Sequence, residues 1–132
     1  KNKGIVFWIT GLSGSGKTRL GQKLKKNIIK KFGPTIIFSG DDIRTIFQLK
    51  KYSSKDRLKT VQMYCNLCKN ISDQNINVIF CVVGLMHEIQ NWNRKNIKNY
   101  LEICIKSPID KIIKFSNKKI YKQKNVKTMI LK

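Results

Sequence analysis

Gly11-Leu12-Ser13-Gly14-Ser15-Gly16-Lys17-Thr18 fills the spacing G-x-x-x-x-G-K-[ST], between a short apolar run and an amphipathic stretch. Few motifs restrict a backbone more. The glycines let successive backbone N–H groups converge on an anion at a helix N-terminus, the lysine reaches the β- and γ-phosphates of a nucleotide, and the hydroxyl can ligate Mg²⁺. A chain carrying this segment must therefore place a strand end, a tight turn and a helix N-terminus in succession, with a phosphate site at the junction.

The flanks supply that context. Gly4 to Thr10 reads as a central parallel strand buried on both faces. Lys17 to about Phe32 carries Leu20, Leu24 and Ile28 four apart, an apolar helix stripe ending before Gly33-Pro34. Thr35 to Ser39 predicts a second strand, followed by a helical stretch through about Leu49. Ser53 or Ser54 opens a longer helix to about Asp73, with Leu58, Val61, Tyr64, Cys65 and Cys68 on its apolar side. Further strands are expected at Asn77 to Val83 and Tyr100 to Ile105, with a helix containing Trp92 and Ile97 between them and another starting at Pro108. Strands alternating with helices imply an α/β fold with a parallel sheet flanked by helices. At 132 residues the chain is read as one domain, residues 1–132.

Composition excludes some functions and leaves others open. The formal charge of +21 is compatible with nucleic-acid binding, but the excess is almost all Lys, spread along the chain beside heavy Ile and Asn use. That pattern reads as AT-rich coding bias placing Lys on solvated faces, and no dedicated nucleic-acid surface is expected. No apolar run approaches a membrane span and no export-signal pattern opens the chain, so a cytoplasmic site is expected. Cys65 and Cys68 form a C-x-x-C, yet zinc needs two more ligands and His87 is the sole histidine; these thiols, with Cys81 and Cys104, are read as packing groups.

Many activities share a phosphate loop, so the reaction class must come from elsewhere. Asn117-Lys118 is followed two positions on by Ile120 where a guanine-reading motif needs Asp, which leaves small kinases ahead of GTPases. Trp8 to Thr18 followed by Ser39-Gly40-Asp41-Asp42-Ile43-Arg44 resembles the adenylylsulfate (APS) kinase family, whose members carry D-G-D-N-[IV]-R after the second strand. Tyr52-Ser53-Ser54-Lys55-Asp56-Arg57 is similar to the family's F-S-x-x-D-R, and Asn117-Lys118-Lys119-Ile120-Tyr121-Lys122 to its P-K-G-L-Y-K lid.

The resemblance implies a three-layer P-loop fold and transfer of the γ-phosphoryl of ATP, with Mg²⁺, to the 3′-hydroxyl of adenylylsulfate in sulfate assimilation. Lys17 and Asp41 would be catalytic, Asp41 orienting or deprotonating the acceptor hydroxyl or holding Mg²⁺ through water beside Thr18. A helix N-cap is the alternative role for Asp41. Gly11, Leu12, Ser13, Gly14, Ser15, Gly16, Lys17 and Thr18 would cradle the phosphates, and Asp41, Arg44, Tyr52, Arg57 and Lys118 would face the acceptor. Arg suits that anionic acceptor because its planar fork grips oxyanions, and Arg is scarce in this Lys-dominated chain. The expected partner is a small-molecule nucleotide acceptor, with a homodimer left open.

The pattern also departs from the family. Ser39 stands for the first Asp of D-G-D-N and Asp42 for its Asn. Lys59-Thr60-Val61-Gln62-Met63 stands for E-N-x-R-R, Val83-Gly84-Leu85-Met86 for I-S-P-Y, and Phe115-Ser116 for the R-D before the lid. Asn91 to Ile97 with Tyr100-Leu101-Glu102-Ile103 looks like the variant branch found in bacterial surface-polysaccharide clusters, some of which phosphorylate a cytidine-linked phosphoramidate. There Trp92 and Arg94 would join acceptor binding, or else Trp92 anchors a helix to the sheet with Arg94 as a surface residue beside it. A C-terminal strand and helix usual in the family are expected to be lacking after the lid. A nucleotide-binding but catalytically impaired homologue is the third reading.

Overall fold

Five strands pair into a single parallel sheet in the computed structural model, which describes residues 3–11, 16–49, 54–83, 86–105 and 128–131. In chain order the elements are β1 (Ile5–Gly11), α1 (Lys17–Phe32), β2 (Thr35–Ser39), α2 (Gly40–Phe47), α3 (Ser54–Asp73), β3 (Asn77–Val83), α4 (His87–Asn96), β4 (Asn99–Ile105) and β5 (Thr128–Leu131). The sheet order is β2-β3-β1-β4-β5, and every neighbouring pair is parallel. β1 is therefore central, paired with β3 on one side and β4 on the other. The chain first builds β2 and β3 on one flank of β1 and then crosses to β4, which opens a crevice at the carboxyl end of β1.

Alternation along the strands sends side chains into two cores. Phe7 and Ile9 of β1, with Ile79, Cys81, Ile103 and Ile105, meet the Leu20, Leu24 and Ile28 stripe of α1. On the opposite face Val6, Trp8, Val78, Phe80 and Val82 meet Val61, Tyr64, Cys65 and Cys68 of α3 and Ile89 of α4. Trp8 stacks on Phe80 with ring centroids 5.3 Å apart, and Tyr64 approaches the same ring to 5.0 Å. Helix, sheet and helix make the three layers expected from the sequence.

Element boundaries agree closely with the periodicity of the sequence. One feature differs. The strand expected to be lacking after the lid is present: Thr128–Leu131 runs as β5 along β4, with Thr128 opposite Glu102 and Leu131 opposite Ile105. A four-residue strand is too short for a period to reveal it. The helix expected at Pro108 lies outside the described residues. Among the described residues, no helix is long and apolar enough to cross a membrane.

Candidate active site

β1 ends at Gly11, and Gly16 resumes the described backbone with φ 94° and ψ 23°, a left-handed conformation that L-side chains adopt at a cost. It is the N-cap of α1, accepting the first helical hydrogen bond from Leu20 N at 2.9 Å. The N–H groups of the first turn have no partner within the helix, and that turn holds no acidic side chain to offset the positive end of the helix dipole. An anion is the complement of this terminus.

Lys17 is 9% exposed, and burial lowers its ammonium below the ordinary lysine range, opposed by its electrostatic pairing with Cys81. A cation held where water is scarce gains most from an anionic partner. Cys81 lies beneath this turn: its Sγ is 3.5 Å from the Lys17 carbonyl oxygen, and burial pushes the thiol up to about 12. A neutral thiol fills that space without adding charge. Gly21 lets the helix come this close, since a Cβ there would lie 2.8 Å from Ile37 Cδ1, 3.2 Å from Ile79 Cγ2 and 3.4 Å from Cys81 Sγ.

The opposite wall begins at the end of β2. Ser39 is the N-cap of α2; its Oγ accepts from Asp42 N at 3.0 Å, and its own N–H donates to Asp42 Oδ2 at 2.9 Å. This is a reciprocal capping box. The N-cap role considered for Asp41 therefore belongs to Ser39, because the helix starts one residue before Asp41. Asp41 is left in the first turn with its side chain 83% exposed, and Arg44 forms an ion pair with it across one turn. Both positions that depart from D-G-D-N, Ser39 and Asp42, are the two partners of this cap.

Arg57, in the first turn of α3, donates from Nη2 to the carbonyl oxygen of Val83 at 2.8 Å, at the end of β3. One cleft of about 250 Å³ collects these parts: Gly16, Lys17, Thr18, Arg19, Ser39, Gly40, Asp41, Arg44, Arg57, Val61, Cys81, Val82 and Val83 line it. Among the described lining residues, four side chains are cationic and one is anionic. The arrangement can hold a polyanion against the helix terminus and present a carboxylate to a neighbouring hydroxyl.

Most sequence-expected site residues are thus brought together. Gly16, Lys17, Thr18, Asp41, Arg44 and Arg57 share the cleft, and Gly11 closes β1 just below it. Leu12, Ser13, Gly14, Ser15, Tyr52 and Lys118 lie outside the described residues. Trp92 packs against the core, as the anchoring alternative has it, whereas Arg94 is more than a surface charge, since its Nη2 pairs with Oε2 of the buried Glu102 at 2.7 Å. Arg19, Ser39 and Cys81 were not singled out by sequence reasoning. The three-residue spacing of Ser39 and Asp42 was the available signal for the cap, and a rare Arg directly after the motif was the signal for Arg19.

Comparison with known proteins agrees with this geometry. The family model for adenylylsulphate kinase matches residues 3–130. The cytidine diphosphoramidate kinase of Campylobacter jejuni is 34% identical over 121 residues, which is 92% of this chain and 71% of that protein. The adenylyl-sulfate kinase of Clostridium acetobutylicum is 32% identical over 127 residues, covering 93% of this chain and 62% of that protein. The chain thus spans roughly two thirds of the length of these relatives. In three dimensions it superposes on the Mycobacterium tuberculosis APS kinase in complex with AMPPNP and APS with a TM-score of 0.72, at 20% identity, covering 93% of this chain and 74% of that one. The fold is shared. With sheet order, the start of α1 at Gly16 and the family match in agreement, the chain belongs to the adenylylsulfate kinase family of phosphotransferases.

Proposed function

We propose that residues 1–132 act as one kinase domain, working in the cytoplasm, that transfers the γ-phosphoryl of ATP to the 3′-hydroxyl of a nucleotide-linked, anionic acceptor, with adenylylsulfate as the first acceptor. The observation that carries this reading is the cleft itself, where a helix N-terminus and the desolvated Lys17 face Asp41, Arg44 and Arg57. Phosphoryl transfer requires little covalent chemistry from the protein, so positioning and charge neutralisation dominate.

In this reading Lys17 and the first-turn amides of α1 hold the β- and γ-phosphates. Thr18 and Asp41, which line one cleft, would hold Mg²⁺, Thr18 by its hydroxyl and Asp41 through water; such an ion would supply neutralisation of phosphate charge. Asp41 orients the acceptor hydroxyl and takes its proton, while Arg44 fixes the carboxylate by their ion pair. Arg57, tethered to Val83 O, offers its remaining donors to the acceptor.

A second reading replaces adenylylsulfate by a cytidine-linked phosphoramidate. The 34% identity to a cytidine diphosphoramidate kinase supports it, and so do the acceptor-side departures at Lys59 to Met63 and Val83 to Met86. Coupled ADP release with each acceptor decides between them. Turnover with one acceptor at least tenfold above the other names the substrate. ATP binding with no ADP release from either, at high enzyme concentration, contradicts the kinase reading and leaves a nucleotide-binding homologue without catalysis.

A further inference from the structure

Arg is rare in this chain, four residues among 28 Lys and Arg. Three of the four, Arg19, Arg44 and Arg57, line the cleft, where Lys17 is the one lysine among the described lining residues. The fourth, Arg94, engages the buried carboxylate of Glu102. Where Lys supplies nearly every other cation, such concentration at one cleft calls for something a point charge lacks: a planar fork that meets two oxygens of one oxyanion at once.

Arg44 and Arg57 already have places in the proposed reaction; Arg19 does not. It is the third residue of α1, off the buried stripe of Leu20, Gly21, Leu24 and Ile28, so its side chain is exposed on the cleft side of the helix. Ser39, Asp41 and Arg44, at the end of β2 and in α2, line the same cleft, and α1 packs against β2.

Resting on the kinase reading, we propose that Arg19 is a specificity-determining residue that grips a phosphate-type oxyanion of the acceptor, giving this cleft a third guanidinium. A phosphate-type oxyanion could come from the acceptor or from ATP, and the place of Arg19 in one lining with Asp41 and Arg44 favours the acceptor.

The test measures KM for acceptor, KM for ATP and kcat in the wild-type chain, Arg19→Thr and Arg19→Lys, with adenylylsulfate and cytidine diphosphoramidate. Losing a charge-assisted fork should raise the acceptor KM of Arg19→Thr by roughly tenfold to a hundredfold, with ATP KM within about threefold and Arg19→Lys between the two. A rise confined to the ATP KM assigns Arg19 to the donor and overturns the proposal, as do unchanged constants. Were the wild-type chain to bind ATP without turnover, the kinase reading would fall separately. Equilibrium binding of either acceptor in saturating AMPPNP then decides on Arg19: at least tenfold weaker binding by Arg19→Thr supports the proposal, and equal binding by both chains contradicts it.

Discussion

The two walls of the cleft are built by different means. On the donor side, β1, α1 and β3 are locked by buried contacts: Lys17 is buried, Cys81 lies beneath it, and Gly21 allows the helix to approach the sheet. On the acceptor side the working groups are an exposed Asp41 and half-buried Arg44 and Arg57, steadied by a capping box, one ion pair and one hydrogen bond to a strand end. Backbone geometry holds the phosphates, and side-chain chemistry reads what receives them. The donor wall can therefore stay fixed while the acceptor wall changes its substrate.

The sharpest way to break this contrast is to strike each wall once. Asp41→Asn should lower kcat by roughly 10²–10⁴-fold while leaving the ATP Kd within about twofold, as measured by single-turnover transfer and equilibrium titration. Lys17→Ala should do the reverse in binding, weakening ATP by roughly tenfold to a hundredfold. Equal losses of ATP affinity in both variants would erase the division of labour.

Packing beneath the donor wall is the next target. Gly21→Leu forces atoms into a space already bounded by Ile37, Ile79 and Cys81, and should cost about 1–3 kcal/mol in denaturant unfolding, with weaker ATP binding because α1 must shift. On the acceptor wall Ser39→Ala removes a helix cap and should cost about 1 kcal/mol, with ATP affinity unchanged. A Ser39→Ala variant that loses ATP binding would show the walls to be mechanically coupled.

The sequence made the donor wall legible because a glycine loop, a buried strand and a helix stripe are each periodic or positional signals. Gly16 in a left-handed N-cap is what the spacing demands. The acceptor wall was legible only through resemblance: Asp41, Arg44 and Arg57 reach the same cleft from two helices separated in the chain, a convergence no local pattern encodes. Asp41 was open to a capping reading because Ser39, Asp41 and Asp42 are all good caps; only the start of α2 at Gly40 decides for Ser39. β5 escaped notice because four residues carry too few repeats to establish a period.

A further test of the packing concerns pH. Burial pushes the thiols of Cys65 and Cys81 up to about 12, so both stay protonated in the fold while the unfolded chain releases protons from about pH 8.5. The stabilisation is complete below that pH and declines as pH rises toward 12. Unfolding free energy should fall across this window, and the fall should shrink in Cys65→Ala. All four cysteines are buried and free, so a thiol reagent at pH 8 should label them only after denaturant is added. Rapid labelling of the native chain would contradict the packing described for α3 and β3.

Transfer itself remains the decisive observation. With γ-³²P-labelled ATP and each acceptor, the label should appear in the acceptor and be released by a 3′-nucleotidase, and Asp41→Asn should suppress its appearance. Label that stays in ATP, or that reaches only water as inorganic phosphate, would contradict phosphoryl transfer to an acceptor hydroxyl in this cleft.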